Sequence, residues 1–194
     1  VNLQDIYGYT ALIWAAKIGC LDVVERLLEC KKIDVNLQDN NGKTAFIWAS
    51  INGHLDVVNR LLDCEEIDVN LQDHDGHTAL ILACHFGNSG VVNRLLEHKE
   101  IDVNLQENDG CTSLMLAYHF GRSDVFNRLL ECKETDINLQ DKDGKTALMI
   151  ASRWERVDVV NRLLDCKEID VNVQDKLGWT ALMRASRRGH LNVV

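Results

Sequence analysis

The chain has 194 residues, 46% of them hydrophobic, and sets 21 Lys+Arg against 30 Asp+Glu for a net charge of −9. That balance argues against a general nucleic-acid binder, which needs a basic surface to neutralise phosphates. No basic segment followed by an apolar run opens the sequence, and no apolar stretch approaches the ~20 residues of a membrane helix, so we expect no secretory leader and no membrane association.

Read from the start, the phrase Val-Asn-Leu-Gln-Asp stands at Val1, Val35 and Val69. It returns as VNLQE at Val103, INLQD at Ile137 and VNVQD at Val171, a fixed step of 34 residues. Gly8, Gly42, Gly76, Gly110, Gly144 and Gly178 keep the same step, as do Thr10, Thr44, Thr78, Thr112, Thr146 and Thr180. A period of this size marks a stack of equivalent units rather than one closed globule. We expect a single array over residues 1–194, five full repeats and a partial sixth, starting and ending inside a repeat as an excerpt of something longer.

The stretch from Asp39 to Gln72 serves as the unit. Asp39-Asn40-Asn41-Gly42 reads as a turn, because Asp and Asn bond their own backbone and Gly accepts positive φ. Thr44 caps a short helix from Ala45 to Ser50, and Gly53 stops it in the left-handed region. Leu55, Val57, Val58, Leu61 and Leu62 recur at helical spacing and predict a second helix, after which Ile67-Asp68-Val69-Asn70 extends as an arm. Neither helix is long enough to stand alone, so each must bury its apolar face against the next repeat.

The order G-x-T-A-L, A, G-H-L-D-V-V-x-R-L-L, D-V-N resembles the ankyrin repeat, in register across the whole chain. The tetratricopeptide repeat has a similar period, but it lacks the Gly-Thr turn and the D-V-N arm. The resemblance implies an all-α, ankyrin-type α-solenoid of helix-turn-helix units with hairpin-like turn tips. It also implies a concave groove of tips and first helices that binds a protein partner, in a monomer that is not an enzyme and carries no cofactor. Two rival readings remain open: a spacer or spring within a larger protein, and the regulatory part of an enzyme whose catalytic domain lies elsewhere.

Three departures from that family carry expectations. The repeat is one residue longer than its usual 33, with the extra residue near Cys30-Lys31-Lys32-Ile33, which predicts a longer second helix or a wider loop. Ile13, Ile47, Ile81, Met115, Met149 and Met183 replace the family's histidine, so apolar packing should replace its hydrogen bonds. Glu155 stands where other repeats have Gly19, Gly53, Gly87, Gly121 or Gly189, which predicts strain and a remodelled fifth repeat.

Positions that break the repetition are free to specify a partner. On the tips these include Tyr7, Tyr9, Lys43, His74, His77, Lys145 and Trp179. At the ends of the first helices they are Lys17, Ile51, Asn52, His85, Phe86, His119, Phe120, Arg153, Trp154, Arg187 and Arg188. Phe86, Phe120 and Trp154 are equivalent and should form an aromatic row, each beside His85, His119 or Arg153. Charge is uneven as well: residues 1–141 sum to −12, and residues 142–194 to +3. Arg153, Lys176, Arg184, Arg187 and Arg188 cluster late, where an acidic segment of the partner can dock. Arg184 replaces Trp14, Trp48, Leu82, Leu116 and Ile150 of earlier repeats, which predicts a polar cap over the end of the core.

The sequence holds seven cysteines. Cys30, Cys64, Cys132 and Cys166 share one repeat position, spaced by the 8–10 Å or so of packed helices, too far apart for disulfides. An odd number of free thiols points to a reducing compartment, the cytoplasm or nucleus. His74 and His77 flank Asp75, but their spacing lacks the pattern of a metal site, and we expect none. Asn36, Asn70, Asn104, Asn138 and Asn172 each close an arm with Leu eight residues upstream, which resembles the segment that asparaginyl hydroxylases accept in ankyrin proteins. Hydrogen bonding of the arm explains the same repetition. Hydroxylation would add one oxygen to the peptides containing these residues, so mass spectrometry of native material separates the two readings.

Overall fold

The computed structural model describes residues 1–194. Its eleven helices alternate between two roles. The first helices are α1 (Ala11–Ile18), α3 (Ala45–Asn52), α5 (Ala79–Phe86), α7 (Ser113–His119), α9 (Ala147–Arg153) and α11 (Ala181–Arg188). The second helices are α2 (Leu21–Leu28), α4 (Leu55–Leu62), α6 (Ser89–Leu96), α8 (Ser123–Glu131) and α10 (Val157–Leu164). First helices pack on first helices, and α2, α4, α6 and α8 follow one another in a second layer.

Each first helix begins at a threonine whose hydroxyl accepts the backbone N–H three residues on, as Thr44 does from Ile47 at 3.2 Å. Gly53 closes α3 at φ 72°, where a side chain would be strained. Between the layers runs one continuous cluster of 41 buried hydrophobic residues. Ile13, Ile47, Ile81, Met115 and Met149 are all buried in the protein interior, so apolar packing fills the place of the family's histidine. Met183 alone of this set is exposed. Leu55, expected on the apolar face of α4, instead lies at its exposed edge.

The added residue of the repeat enters a loop. After α2 the Ile33 N–H donates to the Cys30 carbonyl at 2.9 Å, a turn repeated by Ile67 on Cys64 and Ile101 on His98. Only α8 also gains a residue, at nine.

Two side-chain ladders tie the arms and tips together. Asn36 Nδ2 donates to the Glu66 carbonyl at 2.7 Å, while its Oδ1 accepts from the Asp68 N–H at 3.0 Å. Asn70, Asn104 and Asn138 bridge the following arm in the same way. Gln38 Nε2 donates to the Gly42 carbonyl within its own tip and to the Gln72 carbonyl of the next, at 2.7 and 2.9 Å. Backbone bonds link the tips as well, His74 N–H to Asn41 and Asn108 N–H to Asp75. These contacts explain why the Asn and Gln of the recurring phrase return in every repeat.

The fourth and fifth repeats fit less closely, and α7 and α9 approach each other least among neighbouring first helices. Tyr118 fills a place held elsewhere by Ala16, Ser50, Cys84, Ser152 and Ser186. His54, Asn88, Arg122 and His190 each reach back to a carbonyl near the end of the preceding first helix, at 2.8–3.2 Å. Arg156, their equivalent, lies with its guanidinium 5.7 Å from the Tyr118 ring instead. Glu155 takes φ 54°, the only non-glycine residue with positive φ. Its carboxylate meets His190 Nδ1 at 3.3 Å. Substituting Glu155→Gly should raise the thermal midpoint, by relief of roughly 1 kcal/mol of backbone strain, and strengthen amide-exchange protection around residue 155. A thermal melt with hydrogen exchange checks both.

Candidate functional site: the tip and first-helix face

Every tip is closed by its acidic residue. Asp39 Oδ1 accepts the N–H groups of Asn41 and Lys43 at 2.8 and 2.9 Å, and its other oxygen points toward the first helix. In the first two repeats an indole meets that oxygen: Trp14 Nε1 donates to Asp5 at 3.1 Å, and Trp48 Nε1 to Asp39 at 2.8 Å. In the last repeat Arg184 pairs with Asp175 at the equivalent place. In these three repeats the side chain turns toward the tip, and Arg184, expected as a polar cap over the core, instead directs its charge to the tip acid. Burial raises the Asp175 carboxyl, but bonds from the Trp179 amide and from Arg184 outweigh it and hold it below the usual range.

In the third repeat Leu82 cannot reach the acid, and Lys43 of the preceding tip does so, its Nζ 2.7 Å from Asp73 Oδ2. Lys43, expected to face a partner, is thus drawn down into an internal pair. Asp73, Asp75 and His77 present possible ligand atoms within 4.8 Å of one another. The Asp73 carboxylate is already engaged by Lys43, by the Asp75 and His77 amides, and by His77 Nδ1 at 3.3 Å. His74 is exposed beside this group and takes no part in it.

The ends of the first helices carry the aromatic row. Phe86, Phe120 and Trp154 are 47%, 39% and 59% exposed. His85 stacks on Phe120 with ring centroids 3.8 Å apart, and His119 meets Phe120 edge-on at 5.0 Å. Arg153 and Arg188 approach the Trp154 ring at 5.4 and 5.9 Å, and Arg187 approaches Trp179 at 5.1 Å. Asn52 donates to the Trp48 carbonyl at 2.9 Å, and Ile51 packs against the core rather than standing free. Tyr7 is exposed at the first tip. Lys17 is enclosed by aromatic rings, its Nζ 3.9 Å from the Trp48 centroid.

At the far end these groups surround a cleft of about 680 Å³ between the last two tips and the first helices. Six cations line it, Lys145, Arg153, Lys176, Arg184, Arg187 and Arg188, with Asp143 and Asp175 as the only acids. Lys145 pairs with Asp143 and Arg184 with Asp175, leaving Arg153, Lys176, Arg187 and Arg188 uncompensated by any carboxylate in the cleft. Sequence reading missed Trp14 and Trp48 as groove residues. The signal was present in part: a repeat position that accepts Trp, Leu, Ile and Arg is one where core and tip meet, and Leu82 there is buried while Trp14 is exposed.

The thiols are all free. Burial, then the nearby Glu107, pushes the Cys111 thiol up to about 12, and burial raises that of Cys84 as well. Neither suits nucleophilic chemistry, which requires an accessible thiolate. No helix is long and apolar enough to cross a membrane.

Short helix pairs stacked in two layers, with hydrogen-bonded tips projecting beside the first helices, define a helical repeat solenoid. A family model described as ankyrin repeats (3 copies) matches residues 1–73, 64–141 and 119–194. The chain belongs to the ankyrin repeat family. It is similar to the crystal structure of EF0377, an ankyrin repeat protein, with TM-score 0.84 and 26% identity over 95% of this chain and 96% of that one. It is also similar to the ankyrin repeat domain of Bcl-3, described as a unique member of the IkappaB protein family, with TM-score 0.87 and 28% identity over 96% and 83% of the two chains. No curated protein sequence matches it. Ankyrin repeats generally mediate protein–protein interaction, and the family is typically non-catalytic.

Burial, followed by the neighbouring charges of His77, Arg122 and His119, lowers the His85 pKa from its ordinary value. A depressed basic group binds fewer protons folded than unfolded, so its contribution to stability is present at neutral pH. That contribution is lost as pH falls from about 6.5 toward the folded value. An NMR titration of the histidine ring protons should give His85 a midpoint below that of an unstructured histidine, and His85→Gln should weaken the acid dependence of the thermal midpoint.

Proposed function

We propose that this array is a protein-interaction module whose tip and first-helix face captures a partner, with an acidic segment of that partner seated in the C-terminal cleft. The observation that carries the reading is the set of four uncompensated cations, three of them beside Trp154 or Trp179, on a chain whose net charge is −9. Arginine and tryptophan are typical anchors of protein interfaces. The ladders hold the surface rigid before binding, so little ordering entropy is spent on capture. Charge steers the encounter, and the acidic remainder of the chain repels misplaced acidic partners.

The aromatic row extends this surface from the cleft toward the third repeat. Tyr7, His74, His77, His119, Ile51 and Asn52 belong to the same proposed face, with Ile51 and His77 acting through packing and tip geometry. Free thiols in every repeat but the sixth support a reducing compartment, cytoplasm or nucleus. We read the chain as a monomer. The Asn ladder accounts for the repeated arms, and a hydroxylase acting on Asn36, Asn70, Asn104, Asn138 or Asn172 would need the arm to come away from its neighbour.

A fluorescein-labelled acidic peptide, rich in Glu with a central aromatic residue, tests the reading by anisotropy. Arg187→Glu with Arg188→Glu should weaken binding about tenfold or more, equivalent to roughly 1.4 kcal/mol, and flatten its salt dependence. Replacing Phe86, Phe120 and Trp154 together by Ala should reduce binding while shifting the thermal midpoint little. Unchanged binding in the charge-reversed variant would overturn the acidic-segment assignment, and unfolding of the triple variant would return the row to a structural role.

A further inference from the structure

At the opposite end of the face, three aromatic rings enclose one ammonium group. Lys17 Nζ lies 3.9 Å from the Trp48 centroid, 4.5 Å from that of Tyr9 and 5.4 Å from that of Trp14. The rings meet edge to face, Tyr9 with Trp14 at 4.8 Å and Tyr9 with Trp48 at 6.0 Å, so they form walls rather than a stack. The walls are braced from behind. Trp14 and Trp48 donate their indole N–H groups to Asp5 and Asp39, which fixes the ring orientations and places a carboxylate against each indole.

Rings so arranged attract a cation through their electron-rich faces, and an alkylated ammonium is the ligand such cages favour. Lys17 itself fits the polar requirement incompletely. Its ammonium has three N–H donors, and within the cage only the Tyr9 hydroxyl accepts from it, at 3.0 Å. A methylated ammonium has fewer donors to satisfy, or none, and offers methyl groups to the ring faces. We propose that Tyr9, Trp14 and Trp48 form a receptor for a methylated lysine side chain of a partner protein, held closed in the free chain by Lys17. The tethered Lys17 competes at an effective concentration in the millimolar range. A partner must therefore displace it, and affinity is reduced by the fraction of time that Lys17 is in place.

The site is independent of the basic cleft, so either assignment can fail alone. The test uses the whole chain, wild type and Lys17→Ala, with the four tryptophan indole N–H signals followed by two-dimensional NMR. The probes are N-acetyl-trimethyllysine amide, N-acetyl-lysine amide and choline. In Lys17→Ala the trimethyllysine probe should shift the Trp14 and Trp48 signals saturably, leave Trp154 and Trp179 in place, and bind about tenfold more tightly than to wild type. Lys17→Ala combined with Trp48→Leu should lose the Trp14 response while the Trp154 and Trp179 signals stay dispersed. Absence of any saturable shift in folded Lys17→Ala, or equal response to the unmethylated probe, would overturn the proposal. Tighter binding of choline than of trimethyllysine would overturn its assignment to a protein side chain.

Discussion

The interface between one repeat and the next is the constraint on which everything else rests. Helices of seven to nine residues do not persist alone in water. They persist here because each pair lends an apolar wall to its neighbour, and the walls merge into one core. Polar bonds then set the register. An Asn amide that both donates to and accepts from the following arm leaves little freedom to slip, and a Gln amide shared between two tips adds a second fixed point. The scaffold is stiff because three kinds of contact, apolar, side chain to backbone and tip to tip, agree on one spacing.

With the scaffold fixed, a single repeat position decides the local character of the face. The tip acid is constant in role, and what approaches its free oxygen varies. An indole does so in the first two repeats, a lysine from the preceding tip in the third, and a guanidinium in the sixth. Indoles at one end build an aromatic, acid-backed enclosure suited to a cation. A guanidinium at the other end, joined by Arg153, Arg187 and Arg188, builds a basic cleft suited to an anion. The face is polarised along its length without any change of backbone.

The junction between the fourth and fifth repeats departs from this regularity. Tyr118 is larger than any of the residues that hold its place elsewhere, and Arg156 gives up the backbone bond that its counterparts make. Glu155 adds a left-handed backbone position that favours glycine. These irregularities share one interface and lie beside Trp154, between the acidic and basic portions of the array. Local stability in a repeat array follows nearest-neighbour terms, so this junction is where opening should be least costly.

The sequence alone determined the period, the order of tip, helix, helix and arm, the caps at Thr and Gly, and the odd place of Glu155. Each of these is a local preference repeated six times, and repetition separates preference from accident. It also revealed the aromatic row and the late basic cluster, because both are exceptions within a register. The destinations of long polar side chains were not legible, since they depend on what stands one repeat away. Lys43 and Arg184 looked respectively like a contact and a cap, and each became half of an internal pair with a buried carboxylate. Trp14 and Trp48 read as core, yet only stacking could show that their indoles turn toward the tips and, with Tyr9, close around Lys17. Sequence periodicity fixes which residues are equivalent; packing across thirty-odd residues fixes what each one touches.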